Sequence, residues 1–312
     1  MIQRRKFIKN TTAGMMVGAG LWSNTAIANG FFSSTIEADK SLRTKKITIL
    51  HTNDTHSHIE PINGGRNDGR GGVARRAALI NKVRAENPNT LLLDCGDIFQ
   101  GTPYFNFFGG ELEIKLMTMM GYDAATIGNH DFDNGIDGLY KQLPHADFDF
   151  VISNYDFSNT IMDGKTRTHR VFVKDDVRIG LFGIGIELQG LVAPSMYKET
   201  QYLDPVERAR DMVKMLREEE NCDLVICMSH LGYSYRGDKV SDISLAKATS
   251  GIDLIIGGHT HTFLDKPELV TNAAGKTVMV NQVGCYGINV GRIDFYMNQG
   301  NLEAGSEVVY EI

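Results

Sequence analysis

The sequence predicts an α/β fold in which two packed β-sheets are flanked by helices. Short apolar runs typical of buried strands alternate with helical segments from residue 45 to residue 256. The final segment, Thr277–Ile312, alternates apolar and polar residues between glycine-rich turns, which predicts β structure. Alternating elements followed by β-rich hairpins favour two sheets that pack together and are covered by helices.

The strands are predicted from apolar runs of four to ten residues that end in polar clusters. Two of them, His169–Val173 and Val177–Ile186, are predicted to form a hairpin that turns at residues 174–176. The other predicted strands are Lys45–Leu50, Thr90–Leu93, Asp123–Ile127, Phe148–Ser153, Asp223–Met228 and Ile252–Ile256.

The helices are predicted from apolar residues spaced three and four apart. Pro205 also stands at the first position of an amphipathic segment, where proline is favoured. The predicted helices are Val73–Ala85, Glu111–Met120, Ile136–Leu143, Pro205–Glu220 and Ile243–Thr249. The glycine-rich loop at residues 64–72 has no Gly-Lys-Ser/Thr ending, so we interpret it as a connection and not as a phosphate-binding P-loop.

The N-terminus resembles a twin-arginine export signal. Arg4 and Arg5 lie in a basic patch, a mildly apolar stretch follows, and Ala26-Ile27-Ala28 fits a small-residue cleavage site. The alternative is a membrane anchor, but the stretch is short and polar for a spanning helix. We therefore predict a signal peptide at residues 1–28, a linker at 29–44, a catalytic domain at 45–312, and a periplasmic or cell-envelope location.

Charge and cysteine content exclude some functions. Without residues 1–28 the chain has 28 basic and 38 acidic residues, which argues against non-specific binding of nucleic acid. No two cysteines have a zinc-type spacing. Two of them, Cys95 and Cys227, lie in strand-like runs and are predicted to be buried. The sequence does not determine whether a disulfide forms among the four cysteines, Cys95, Cys222, Cys227 and Cys285, or which of them it would join.

Five predicted strands end in residues that can bind metal, and the carboxyl ends of parallel strands are where α/β folds place their chemistry. These clusters are Asp54-x-His56, Asp97, Asn129-His130, His230 and His259-x-His261. Alone, one such cluster is equally typical of a polar turn that caps a helix. In extended chain, residues i and i+2 project to the same side, so each D-x-H or H-x-H pair is expected to chelate one site.

The chemistry of these ligands predicts a centre of two metal ions. Mixed imidazole, carboxylate and amide ligands without thiolates suit Zn, Mn or Fe and argue against a structural zinc site. Seven ligands with one bridging carboxylate are enough for two ions about 3.5–4 Å apart. The flanking histidines, His51 and His58, are interpreted as packing or supporting residues.

The order of these motifs resembles that of the calcineurin-like metallophosphoesterases, which implies a four-layer α/β/β/α sandwich. The fuller strings at residues 51–54, 100–103, 128–135 and 258–261 resemble the catalytic domain of the 5′-nucleotidase family, over about residues 45–312.

The resemblance implies a role for each residue of the centre. Asp54, His56 and His261 would hold one metal ion; Asn129, His230 and His259 would hold the other, with Asp97 between them. His130 would stabilise the transition state or protonate the leaving oxygen, and Asp131 would orient His130. The ions would be Zn, Mn, Fe or Co.

The resemblance predicts an exported phosphohydrolase that acts on nucleoside monophosphates or related phosphomonoesters through a metal-bound hydroxide. Enzymes acting on cyclic nucleotides, nucleotide sugars or sulfur esters would share the same ligands. A non-catalytic binding subunit is disfavoured because it would not need His130. Family members continue into a C-terminal domain that stacks the nucleobase, and we expect such a domain either to be encoded separately or to be unnecessary for a different substrate.

Overall fold

The computed structural model describes residues 44–298 and 301–312. The predicted signal peptide and residues 29–43 of the predicted linker lie outside these residues, so both stay predictions. Within the described part of the chain, no helix combines the length and apolar character needed to cross a membrane.

Most of the strands in the described residues belong to two six-stranded mixed sheets. The strands are β1 Lys45–Thr52, β2 Thr90–Asp94, β3 Ala124–Ala125, β4 Asp149–Phe150, β5 Tyr155–Asp156, β6 His169–Lys174, β7 Val177–Ile184, β8 Gln201–Tyr202, β9 Leu224–Ser229, β10 Leu254–Ile256, β11 Glu268–Thr271, β12 Thr277–Asn281, β13 Asn289–Asn298 and β14 Asn301–Glu311. The first sheet has the strand order β14-β13-β1-β2-β3-β4, the second has the order β11-β12-β10-β9-β7-β6, and β5 pairs with β8 separately.

The α-helices pack on the outer faces of the two sheets. They are α1 Val73–Glu86, α2 Pro103–Phe108, α3 Glu111–Met120, α4 Gly135–Gln142, α5 Pro194–Tyr197, α6 Pro205–Lys214 and α7 Asp242–Ala248. One buried cluster lies between the first sheet and α1, α3 and α4, and another lies between the second sheet and α6 and α7. These clusters form the two outer cores of the fold.

A third buried cluster joins the inner faces of the two sheets. Ile49 of β1 and Leu91 of β2 contribute to it from the first sheet, and Leu181 of β7 and Ile226 of β9 contribute from the second. All four side chains are fully buried. The predicted fold, with two packed sheets flanked by helices, is therefore confirmed.

The parallel strands bring their carboxyl ends to one edge of each sheet. In the first sheet β1, β2, β3 and β4 run parallel, and in the second β7, β9, β10 and β12 run parallel. The polar clusters that follow these strands consequently meet above the sandwich, where parallel sheets place their binding sites.

Three segments differ in length or type from the sequence-based prediction. The run Asp123–Ile127 pairs only at Ala124 and Ala125, because the chain then turns toward Gly128. The aromatic segment after Thr102, which is not among the predicted helices, forms helix α2; proline begins it, and Gly109 ends it with a left-handed backbone (φ 61°). The helix from Pro205 continues from Met215 to Glu219 as a π-helical turn.

Candidate metal centre

All seven side chains predicted as metal ligands meet where the strands end. Six of them form two groups of three, and within each group the ligand atoms lie within 4.8 Å of one another. The Asp54 cluster contains Asp54, His56 and His261, and the His230 cluster contains Asp97, His230 and His259. The seventh, Asn129, contacts His259.

The Asp54 cluster is compact. Nε2 of His261 lies 3.3 Å from Oδ1 of Asp54 and 3.0 Å from Nε2 of His56. Nε2 of His56 is 3.9 Å from Oδ1 of Asp54 and 3.8 Å from Oδ2 of Asp97. Asp97 therefore faces both clusters, which is the position expected of a bridging carboxylate.

The His230 cluster lies on the other side of Asp97. Nε2 of His230 is 3.1 Å from Oδ2 of Asp97, and Nδ1 of His259 is 2.8 Å from Oδ1 of Asn129. The side chains of His230 and Asp97 are almost completely buried. Four donor atoms from four different loops thus converge in this half of the site.

Two histidines are fixed in the tautomer that a metal ligand needs. Nδ1–H of His230 donates to the carbonyl oxygen of Cys95 at 2.6 Å, and Nδ1–H of His56 donates to that of Phe99 at 3.1 Å. A carbonyl can only accept, so each Nδ1 carries a proton, and Nε2 is the nitrogen left to bind a metal ion in the site. Such outer hydrogen bonds orient the imidazoles of metal sites.

The local backbone corrects the extended-chain expectation. Asp54 and His56 have φ angles of 49° and 45°, and His259 and His261 have φ angles of 72° and 52°, all in the left-handed region. His259 and His261 also face different clusters, so the H-x-H pair does not chelate one site as expected. Asp97 has the same backbone type, with φ 55°. Non-glycine residues adopt it rarely, and such strain concentrates at functional sites.

Two glycines allow the loops to approach this closely. A Cβ at Gly128 would lie 2.2 Å from Oδ1 and 2.4 Å from the backbone nitrogen of Asp97. A Cβ at Gly258 would lie 2.9 Å from the carbonyl oxygen of Cys95 and 2.9 Å from Nδ1 of His230. Any larger residue at either position would displace a group of the centre.

Electrostatics also links the opposing groups. Burial lowers the pKa of His230, but the Asp97 carboxylate outweighs it and raises that pKa to about 10. Burial also lowers the pKa of His261, but the hydrogen bond and charge of Asp54 outweigh it and raise that pKa to about 10. Burial and the nearby His230 lower the pKa of His259 to about 3. These shifts belong to the metal-free site, where protons compensate the buried carboxylates.

The donor set fits divalent cations. Nε2 of His230 is buried and has no hydrogen-bond partner of acceptable geometry, although it is directed at Asp97. Nε2 of His56 and Nε2 of His261 face each other at hydrogen-bond distance. Converging imidazole nitrogens and carboxylate oxygens are the usual ligands of Zn, Mn or Fe, and a bound cation would replace the protons that compensate the buried carboxylates. The residues therefore fit the metal-ion requirement, whereas the number and identity of the ions stay predictions.

His130 lies at the edge of the centre, and the structure corrects the prediction for its partner. Its ring centroid is 5.2 Å from that of His56, and its Nδ1 donates to Oδ2 of Asp133 at 2.9 Å. The hydrogen bond to Asp133 is the largest cause of the raised pKa of His130. The prediction that Asp131 orients His130 was wrong, because the short 3₁₀ turn at this point brings residue i+3 and not residue i+1 beside the imidazole.

Asp131 has a structural position instead. Its buried carboxylate accepts hydrogen bonds from the backbone N–H groups of Asp97, Ile98, Phe99 and Gly128, at 2.8–3.2 Å. It therefore joins the loop that follows β2 to the loop that carries His130. Burial, with the charge of Asp97, raises the pKa of Asp131 to about 7.

The flanking residues behave as packing groups. His51 is fully buried, and its Nε2 accepts a hydrogen bond from Nδ2 of Asn281; burial lowers its pKa to about 3. Nδ1–H of His58 donates to the carbonyl oxygen of His56. Cys95 and Cys227 are buried, as predicted, and no disulfide joins cysteines of the described chain.

Sequence reasoning missed two residues beside the centre. The ring of Tyr286 lies 5.7 Å from that of His261 and 4.2 Å from that of His58. Nδ2 of Asn53 donates to Oδ2 of Asp54 at 2.6 Å and to the carbonyl oxygen of Gly284 at 2.6 Å. Asn53 could have been identified from the sequence because it directly precedes the predicted ligand Asp54. No motif near Tyr286 in the sequence indicates that this residue lies beside the centre.

Comparison with known families places the chain in a defined group. The family model described as calcineurin-like phosphoesterase matches residues 47–263. The trifunctional nucleotide phosphoesterase protein YfkN of Bacillus subtilis is 35% identical over 280 residues, covering 80% of this chain and 18% of that protein. A snake venom 5′-nucleotidase of Crotalus adamanteus is 33% identical over 281 residues, covering 82% of this chain and 46% of the relative.

A solved structure agrees with these sequence comparisons. The 5′-nucleotidase precursor of Thermus thermophilus is similar with a TM-score of 0.78 and 33% identity, covering 86% of this chain and 55% of that one. The chain thus spans about half the length of two of these relatives, and less than a fifth of the YfkN protein.

Proposed function

Because the chain belongs to the calcineurin-like phosphoesterase family and is a metal-dependent phosphoester hydrolase, we propose that it hydrolyses nucleoside monophosphates or related phosphomonoesters at a centre of two divalent ions. The observation that carries this proposal is the position of Asp97, whose carboxylate faces the Asp54 cluster and the His230 cluster together. Similarity to 5′-nucleotidases supports the substrate class.

The proposed ligands follow the two clusters. Asp54, His56 and His261 would hold one ion; Asn129, His230 and His259 would hold the other, and Asp97 would bridge them. When bound, two such ions neutralise phosphate charge and lower the pKa of a water ligand toward about 7, which supplies the nucleophile at neutral pH.

His130 is proposed to act on the leaving oxygen. Its Nδ1 is occupied by Asp133, so Nε2 remains to donate a proton or a hydrogen bond to the departing alkoxide. The hydrogen bond to Asp133 raises the pKa of His130, which favours the protonated imidazole that this step requires. Asp133 acts as a positioning residue, because its hydrogen bond fixes both the ring and its proton.

Metal analysis combined with a phosphatase assay tests the proposal. The purified protein should hold two equivalents of divalent metal, lose hydrolysis of adenosine 5′-monophosphate after chelation, and regain it with Mn, Zn or Co. His230→Asn should lower both metal content and activity, whereas His145→Asn, a histidine outside both clusters, should lower neither. Full activity in protein shown to be metal-free would contradict the proposal.

A phosphodiester substrate is the second candidate. The relative named a trifunctional nucleotide phosphoesterase favours it, since that name is not restricted to monoesters. Assays with a 5′-monophosphate, a cyclic nucleotide and a nucleotide sugar distinguish the two. A rate on a diester that exceeds the rate on every monoester would favour the second candidate.

Nucleobase recognition is proposed to depend on a domain outside residues 45–312. The family resemblance supports this, as do relatives that extend beyond the region they share with this chain. Base stacking contributes about 1–3 kcal/mol, or roughly 5–150-fold in affinity. Adding such a domain should lower KM for nucleotides and leave p-nitrophenyl phosphate almost unchanged. A hundredfold preference for one nucleobase by residues 45–312 alone would contradict this proposal.

Export through a twin-arginine signal is proposed from the motif at Arg4 and Arg5. Changing both arginines to lysine should retain the protein in the cytoplasm, whereas changing Lys9 to arginine should not. Unchanged fractionation of the double variant would argue for another route.

A further inference from the structure

A small aromatic pocket lies outside the metal centre. It has a volume of about 120 Å³, and its lining residues include Tyr155, Tyr197 and Tyr202 together with Glu187. Ligand pockets for drug-sized molecules commonly measure about 300–1,000 Å³, so this cavity is too small for a nucleotide. It suits a compact head group.

The pocket is held by the fold and not by mobile side chains alone. Tyr155 of β5 pairs directly with Tyr202 of β8, and their ring centroids are 6.3 Å apart at an angle of 52°. The hydroxyl of Tyr155 donates to the carbonyl oxygen of Ile186, which fixes that ring. Tyr155 also packs edge-on against Phe132, with centroids 6.0 Å apart, so the pocket adjoins the segment that carries His130.

The charges around the pocket are negative. Glu187 is exposed at its edge, and the lining residues in the described part of the chain include no lysine, arginine or histidine. The nearest basic residue along the chain, Lys198, is bound to Asp137. Burial, then Glu187 and Asp204, raises the pKa of the Tyr202 hydroxyl. The described lining therefore offers no basic side chain to bind an anion.

Three tyrosines and a glutamate that line one small pocket match one ligand chemistry. Aromatic faces attract cations through their quadrupole, and groups of such rings recognise quaternary ammonium ions. We propose that the pocket formed by Tyr155, Tyr197, Tyr202 and Glu187 binds a small alkylammonium cation. This inference depends on the pocket alone and not on the proposed phosphohydrolase activity.

Calorimetry with the full chain in the presence of a chelator tests the proposal without any activity readout. The probes are tetramethylammonium chloride and choline chloride, titrated at constant ionic strength against sodium chloride. The neutral carbon analogue of choline, 3,3-dimethyl-1-butanol, is the matched control ligand. Choline should bind about tenfold more tightly than this alcohol.

Four variants locate the binding. Glu187→Gln and Tyr202→Leu should each weaken choline binding by about tenfold, whereas Tyr202→Phe, which keeps the aromatic face, should stay within about twofold. Glu86→Gln, at an exposed position on α1, should bind as the wild type does. Thermal unfolding of each variant shows that the fold is intact, and Glu187→Gln is informative even where Tyr202→Leu does not fold.

Three results would overturn the inference. Equal affinity for choline and 3,3-dimethyl-1-butanol would show that the pocket is merely apolar. Unchanged binding in both Glu187→Gln and Tyr202→Leu would place the cation elsewhere. Absence of measurable binding by either ammonium ion would show that the pocket does not recognise this class.

Discussion

Replacing Asp133 by asparagine isolates its contribution to His130. The hydrogen bond between Nδ1 of His130 and Oδ2 of Asp133 is 2.9 Å long, and the two side chains are 37% and 32% exposed. Hydrogen bonds to charged groups contribute about 1.5–3 kcal/mol, and this degree of exposure favours the lower end. We expect kcat/KM on adenosine 5′-monophosphate to fall roughly 10- to 30-fold.

The assay compares two esters and a double variant. His130→Asn should lower the rate on adenosine 5′-monophosphate by roughly 10²–10⁴-fold and leave the metal content unchanged. Its effect on p-nitrophenyl phosphate should be smaller, because that leaving group needs little protonation. Asp133→Asn should have almost no further effect in the His130→Asn background, since the two residues act as a unit.

Asp131→Asn is the matched comparison. Its carboxylate accepts four backbone hydrogen bonds, and an amide would direct a donor at other donors, so we expect the free energy of unfolding to fall by at least about 2 kcal/mol. The reasoning would be refuted if Asp133→Asn retained wild-type kcat/KM while Asp131→Asn folded normally and lost activity only on the unactivated ester.

Three further predictions follow from the packing and charge of the centre. Gly128→Ala should abolish metal binding in elemental analysis, because its Cβ would lie 2.2 Å from Oδ1 of Asp97, and wild-type metal content in this variant would argue against the close approach. Asp97→Asn should lower metal content and activity together, as measured on the same preparation; loss of activity with both ions retained would contradict a bridge. Burial raises the pKa of Asp242 to about 7 from an ordinary value of 3.8. Between pH 4 and pH 7 the folded state therefore binds a proton that the unfolded state does not bind. The contribution of Asp242 to the free energy of unfolding consequently decreases as pH rises through this window. Relative to Asp242→Asn, the free energy of unfolding of the chelated wild-type protein should fall by up to about 1.4 kcal/mol per pH unit in that window. Denaturant titrations at several pH values measure it, and the same pH dependence in both proteins would refute the shift.

The parts of the fold that local sequence determines were predicted well. Helix α3 begins and ends at Glu111 and Met120, as predicted, because Gly110 and Gly121 flank it with left-handed backbone. The short strand β3 was predicted too long, since periodicity marks burial and cannot tell where pairing ends. Helix α2 was missed because its aromatic residues have no clear helical spacing.

The site was predicted in its residue types but not in its geometry. The ligand residues could be identified by their position after the predicted strands, because parallel strands bring their carboxyl ends to one edge of the sheet. The left-handed backbone of Asp54, His56 and His259 depends on contacts between loops far apart in sequence, which no local pattern encodes. The choice between Asp131 and Asp133 required the 3₁₀ turn, since both acids follow His130 closely.

An anomalous-scattering experiment on crystals grown with Mn tests the central claim most directly. The account predicts two peaks per chain, about 3.5–4 Å apart, with the carboxylate of Asp97 between them. One peak should contact the Asp54 cluster, and the other should contact His230, His259 and Asn129. A single peak, or two peaks that do not share Asp97, would contradict a centre of two bridged ions.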